Sequence, residues 1–290
     1  MTHDILSHVR SLEDLHDLIK KDPVSGASAA GKNIVHEVQA VADKISQDAE
    51  KALARVFNDA KSEAAKLTDK ANRTVEKINK DTAKIAAELL RDAEAAGGGD
   101  AKEAALKASE IIKSAEKTAV KLNKKAEKTA SQITEKAEDS AVKVKNVADL
   151  ATRDLFDVEK DALEKISKAG KDAASKISAF KDGEGQDEDA EKETQLAAAE
   201  VIKNLAQAAD RLKQESKKAA AQLQEAEEEA VTTVKKAAAE AAQSINMSID
   251  EANDQILQVT RDAVQKTVGE EEATFFDVES LRDKFGASGR

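Results

Sequence analysis

Residues 26–33, Gly26-Ala27-Ser28-Ala29-Ala30-Gly31-Lys32-Asn33, nearly spell a phosphate-binding loop, in which backbone amides cradle phosphate, a lysine reaches it and the next hydroxyl holds magnesium. Asn33 stands where that hydroxyl is needed, and no strand pattern precedes the loop, so a nucleotide site is not expected. Glu13 and His16 form one Glu-x-x-His step, whereas helical di-iron sites need two such pairs and two further glutamates. His3, His8, His16 and His36 share no one-face spacing of the kind that three or four convergent zinc ligands require. The many carboxylates alternate with lysines at helical spacing, as Asp48 with Lys51 and Glu76 with Lys80, a pattern of solvated ion pairs rather than paired acid and base. Asn72-Arg73-Thr74 and Asn246-Met247-Ser248 match the glycosylation pattern, which has no meaning without a secretory signal. From the sequence no catalytic residue, cofactor or metal ligand is expected, and the chain reads as a non-enzyme.

The spacing that does recur is a period of eleven in large aliphatic residues. It runs Ile111, Leu122, Ile133, Val144, Leu155, Ile166 and Ile177, with small residues four positions on (Ala115, Ala126, Ala137, Ala148) and eight positions on (Ala119, Ala130, Ala141). Eleven residues fill three turns at about 3.67 per turn, so such a seam stays on one side of a straight or slightly right-handed helix. The same ruler marks Ile34, Ile45, Val56, Leu67, Ile78 and Leu89 before it, and Val201, Leu212, Leu223, Val234, Ile245 and Ile256 after it. In the last set, alanines such as Ala208, Ala219 and Ala230 stand seven after an anchor, and Ala226, Ala237 and Val259 stand three after one. The fold expected is all-α: very long hendecad helices forming an elongated bundle, a right-handed or straight coiled coil, or a rod.

Composition points the same way. Among 290 residues there is no Trp, Tyr or Cys, only six Phe, and 59 Leu, Ile, Val and Phe together, too little bulk for a thick globular core. The net charge of −11 is a near balance of 46 basic and 57 acidic groups. Neither a basic footprint nor stacking aromatics is present, so nucleic acid is not an expected partner. No run of apolar residues approaches a membrane span and the N-terminus carries no signal pattern, which makes a cytoplasmic protein the expectation.

Taken in order, residues 1–22 read as a short amphipathic helix with Ile5, Val9, Leu12 and Ile19 on one stripe. Pro23 ends it, and residues 23–31 read as a small-residue linker. A helix so tethered can dock on a partner or fold back on its own rod. Long helices are expected over 32–96, 100–181 and 188–269, broken at 97–99 by three glycines and at 182–187 by a Gly-rich acidic run. Nearly equal lengths with short breaks favour antiparallel neighbours. Ile34 and Ile111 nevertheless keep one register across the three glycines, which a continuous rod requires and a hairpin does not. Residues 270–290 form a second docking segment, with Phe275, Phe276, Val278, Leu281 and Phe285.

Ala115-Glu116-Lys117-Thr118-Ala119 and Ala126-Glu127-Lys128-Thr129-Ala130 resemble the eleven-residue repeats of group 3 late-embryogenesis-abundant proteins, and the same wording is similar to phasins and exchangeable apolipoproteins. The likeness spans residues 32–268 and is one of composition. It implies an amphipathic-helix coat or stress protectant that orders on a lipid or polymer-granule surface. The seam argues differently, since an arc about 100° wide and mostly alanine inserts weakly into lipid. The expected function is therefore a structural or scaffolding protein that self-associates through these seams into a homo-oligomer or filament, its ends joining neighbours or a client. The surface coat is the alternative.

Overall fold

A computed structural model describes residues 12–95, 101–181 and 187–268, and among them the chain is all-α, with four helices and no strand. These are α1 (Leu12–Lys21), α2 (Pro23–Ala95), α3 (Ala101–Lys181) and α4 (Asp187–Val268). The three long ones have 73, 81 and 82 residues. No described helix is long and apolar enough to cross a membrane.

The linker expected over 23–31 is instead the first turns of α2. Pro23 ends α1 and also begins α2: its fixed φ suits the first helical position, where its missing N–H would have had no partner. Asp22 supplies the cap. Its Oδ1 accepts from the backbone N–H groups of Val24 at 3.1 Å and Ser25 at 3.2 Å, and its Oδ2 accepts from the Ser25 hydroxyl at 2.6 Å. The small residues then serve packing. A Cβ at Gly26 would lie 2.8 Å from the Ile19 Cα, and one at Gly31 would lie 2.9 Å from Leu163 Cδ2. Composition alone cannot separate a flexible Gly/Ala/Ser tract from a helix face that must pass close to another backbone.

The chain divides into two compact units. The first comprises Met1–Ala54 and Ala141–Glu229, and thus holds α1, the start of α2, the second half of α3 and the first half of α4. In it α2 and α3 run in opposite senses: Gly31 meets Leu163, and Ala27 meets Gly170. A Cβ on Gly170 would fall 2.5 Å from that of Ala27 and 3.0 Å from the Pro23 carbonyl oxygen, so this glycine is what lets the two helices approach there. Helices α3 and α4 are antiparallel too, as Asp161 pairs with Arg211, Asp154 with Lys218 and Lys143 with Glu229. Each step of seven and then eleven residues back along α3 is matched by seven and eleven forward along α4.

The second unit comprises Arg55–Ser140 and Ala230–Arg290. Its core gathers all three long helices in one cluster: Ile78, Ile85 and Leu89 from α2, Ile111 and Ala115 from α3, and Ala252, Ile256, Ala263 and Val264 from α4. Leu89 and Ile111 thus share a core although the glycine break separates them in sequence. Register across that break says nothing of continuity, because helices on either side of a turn can carry the same ruler.

Candidate functional site

Eighteen of the nineteen eleven-residue anchors are buried. Ile34, Ile45, Val56, Leu67, Ile78 and Leu89 on α2 are buried, as are Ile111, Leu122, Ile133, Val144, Leu155 and Ile166 on α3, and Val201, Leu212, Leu223, Val234, Ile245 and Ile256 on α4. Ile177, near the end of α3, is half-buried. A second buried line stands four residues after the anchors, and includes Val38, Ala49, Ala60 and Ala71 on α2 and Ala115, Ala126, Ala137 and Ala148 on α3.

The third line differs from expectation on α3. Buried positions stand seven after the anchors, at Thr118, Thr129, Ser140, Ala151, Ala162 and Ala173; of the positions eight after, Ala119 is buried but Ala130, Ala141 and Thr152 are only half-buried. At 3.67 residues per turn the anchors and the positions four and seven after them fall within an arc of about 65°, whereas the position eight after lies about 33° outside it. Hydroxyl residues, Thr118, Thr129 and Ser140, occupy the inner position beside the alanines at 119, 130 and 141. The α4 line seven after its anchors, Ala208 to Ala263, is buried throughout, while Ala226, Ala237 and Val259 are half-buried.

The docking residues separate into two groups. Ile19 is fully buried against Gly26, and Leu15 is buried with it, so the apolar stripe of α1 is spent on its own chain. Leu12 opens α1; Ile5, Val9, Phe275, Phe276, Val278, Leu281 and Phe285 lie outside the described residues. The phosphate-loop look-alike is helix, with Gly31 packed on Leu163, and its amides are committed to the helix of α2. Glu13 and His16 lie on α1, where His16 Nδ1 is 4.0 Å from Asp17. Among the described residues no three His, Asp or Glu side chains are grouped to hold a metal.

Two shallow grooves remain. In the first unit, Val24, Ala27, Gly31, Leu163 and Ile166, with Lys32 and Lys171, line about 360 Å³ between α2 and α3. In the second, Lys125, Lys128, Thr129, Glu135, Lys136 and Glu240 are among the residues lining about 340 Å³ between α3 and α4.

Electrostatics follow the ion pairs. Hydrogen bonds from Lys165, and then Arg211, hold the Asp161 carboxyl below the usual carboxylate range. The Glu215 carboxylate, and then Asp154, raise Lys218. Lys107 is raised mainly by its 2.8 Å bond to Glu110, which is lowered in return. Bonds from the Ser25 hydroxyl and then its amide lower Asp22. Apart from Lys107, which is largely covered, these groups sit at the surface, where water screens them and single pairs add little stability.

No family model, no curated protein and no solved structure matches this chain.

Proposed function

We propose that the protein is a non-enzymatic structural or scaffolding element, its long helices closing their hendecad seams on one another as an elongated, straight or right-handed coiled coil. One observation carries the reading: anchors on all three long helices are buried within a single chain, from Ile34 to Ile256, and most of the intervening lines are alanine. A seam of that kind positions backbones closely and rigidly, as a structural element requires. Self-association was expected because a lone helix cannot bury its stripe. Here three helices of one chain bury it, so copies that join must do so through outward faces or the terminal segments. Exposed Val142, Leu150 and Phe156 on α3 are such outward residues. A protein client, or a lipid or granule surface, would be met in the same way.

Sedimentation velocity over a concentration series, with circular dichroism on the same samples, tests this reading. High helicity without any surface, in a species whose mass grows with concentration, is the expected result. Low helicity that rises only when anionic vesicles are added would overturn it in favour of the coat, in which the seams open onto lipid.

A further inference from the structure

The face of α3 opposite its seam is a line of lysines. Positions two, six and nine after an anchor point away from the core when eleven residues make three turns. After Ile111 these are Lys113, Lys117 and Val120, and after Leu122 they are Lys124, Lys128 and Ser131. Lys102, Leu106 and Ser109 continue the same phase toward the start of the helix. Of these nine, all but Ser109 and Ser131 are lysine or aliphatic, and all but the half-buried Ser109 are exposed, Leu106 by 61% and Val120 by 54%. The next turns carry Glu135 and Asp139 at the same positions, so the cationic line ends there. Its nearest carboxylates, Glu116 and Glu127, stand on one flank, and Glu103 and Glu110 on the other.

Carboxylates interrupt the same outward positions on the other long helices, with Asp43, Asp69 and Glu76 on α2 and Asp210, Glu225 and Glu229 on α4, whereas from Lys102 to Ser131 none stands there. Moreover, Lys113 and Lys117, and Lys124 and Lys128, are like charges four apart, an arrangement that weakens a helix. A polyanion laid along the ridge would relieve their repulsion.

We propose that this ridge of α3, in the second unit, lies on an anionic lipid surface with the seams still closed. Leu106 and Val120 decide the choice of polyanion: they stand in line with the lysines, where aliphatic tips can enter the headgroup layer, while no aromatic side chain offers the stacking that single-stranded nucleic acid uses. The inference does not rest on self-assembly, and it differs from a coat in which the apolar seams themselves meet lipid.

The test is co-sedimentation of the full chain with phosphatidylserine–phosphatidylcholine vesicles and with pure phosphatidylcholine vesicles, with helicity followed in both. Binding is expected only to the anionic vesicles, without change in helicity. Each lysine near such a surface favours binding by about fivefold, so Lys117→Glu with Lys124→Glu and Lys128→Glu should weaken partitioning at least a hundredfold. A control triple with the same charge change, Lys160→Glu, Lys168→Glu and Lys203→Glu, should weaken it far less, and Leu106→Ser with Val120→Ser should weaken it without altering net charge. Equal losses in both triples, no loss on removing the aliphatics, tighter binding to duplex DNA than to vesicles, or a change of helicity on binding would each overturn the proposal. Failure here leaves sedimentation in the absence of lipid untouched, so the ridge and the scaffold fail separately.

Discussion

The two units are built on one register from the same three long helices, yet their inner lines are filled differently. Seven residues after each anchor of α3, the second unit places Thr118, Thr129 and Ser140, where the first places Ala151, Ala162 and Ala173. Four after the anchors, the second unit buries Thr82 on α2 and Thr260 on α4, where the first has Val38 and Leu205. All five buried hydroxyl residues among the described residues thus fall in one unit. Thr129 is satisfied by its own helix, donating to the Lys125 and Ala126 carbonyls at 3.0 Å. The Thr82 and Thr260 hydroxyls have no partner. The first unit is instead fitted by glycine, at Gly26, Gly31 and Gly170, and tied across α3 and α4 by ion pairs. An eleven-residue period therefore fixes which positions face inward without fixing how firmly they hold.

The comparison breaks most simply at two neighbouring anchors. Ile133 in the second unit and Val144 in the first are both fully buried on α3. Aspartate at either should cost about 3–5 kcal/mol, because its charge would have no partner. If the units are separately stable, hydrogen exchange in Ile133→Asp should rise in residues 101–140 and 230–268 more than in 141–229, and Val144→Asp should do the reverse. Equal loss everywhere from either change would make the two units one cooperative body.

Much of the fold was legible because the chain repeats itself. A ruler of eighteen buried anchors needs no tertiary information to be seen, and the breaks at 97–99 and near 182 stand out by glycine alone. What was not legible depended on contacts distant in sequence. Gly26 and Gly31 read as a linker until Ile19 and Leu163 are beside them, and Ile19 reads as a docking residue until Gly26 covers it. Thr118 and Thr129 take the inner position although alanine follows each of them, because a hydroxyl counts as polar in a hydrophobic pattern whatever its helix lets it bond to. The lysine ridge is illegible for a different reason: a hydrophobic period marks only inward positions, and the ridge is defined by what occupies the outward ones.

Glycine packing in the first unit can be sharpened at Gly170. In an open helix interior, Gly→Ala stabilises by about 0.5–1 kcal/mol through backbone entropy. Here the new methyl would meet the Ala27 Cβ and the Pro23 carbonyl, both parts of a rigid helix start. Gly170→Ala should therefore lower stability by about 1–3 kcal/mol, the usual cost of overpacking, and lift protection in the first turns of α2. A rise in melting temperature would mean that the two helices are not so close.

The hydroxyls of the second unit predict an effect of opposite sign. Thr82→Val and Thr260→Val each remove a buried donor that lacks a partner, so each should stabilise by about 1–2 kcal/mol in denaturant unfolding. Thr129→Val loses a made bond and should come out near neutral. If all three behave alike, the hydroxyls of Thr82 and Thr260 are being satisfied, and the contrast with the first unit shrinks to size alone.

The smallest effect is the most selective. Asp161 is held below the usual carboxylate range by Lys165 and Arg211, so the folded state binds its proton less readily than the unfolded chain does. Its contribution is complete above the unfolded value and disappears as pH falls through the depressed folded value. Because the group is exposed, the gain is screened, and salt should erase it as acid does. Once the intrinsic pH dependence of exchange is divided out, protection along α3 and α4 near Asp161 and Arg211 should thus fall in acid and in high salt, while residues around Ile256, held by aliphatic packing, respond to neither in the same range. Asp161→Asn should remove the acid dependence at low salt. Persistence of that dependence in the variant would place its origin in other carboxylates, and the cross-helix ion pairs would then be passengers on a seam that already fixes the register.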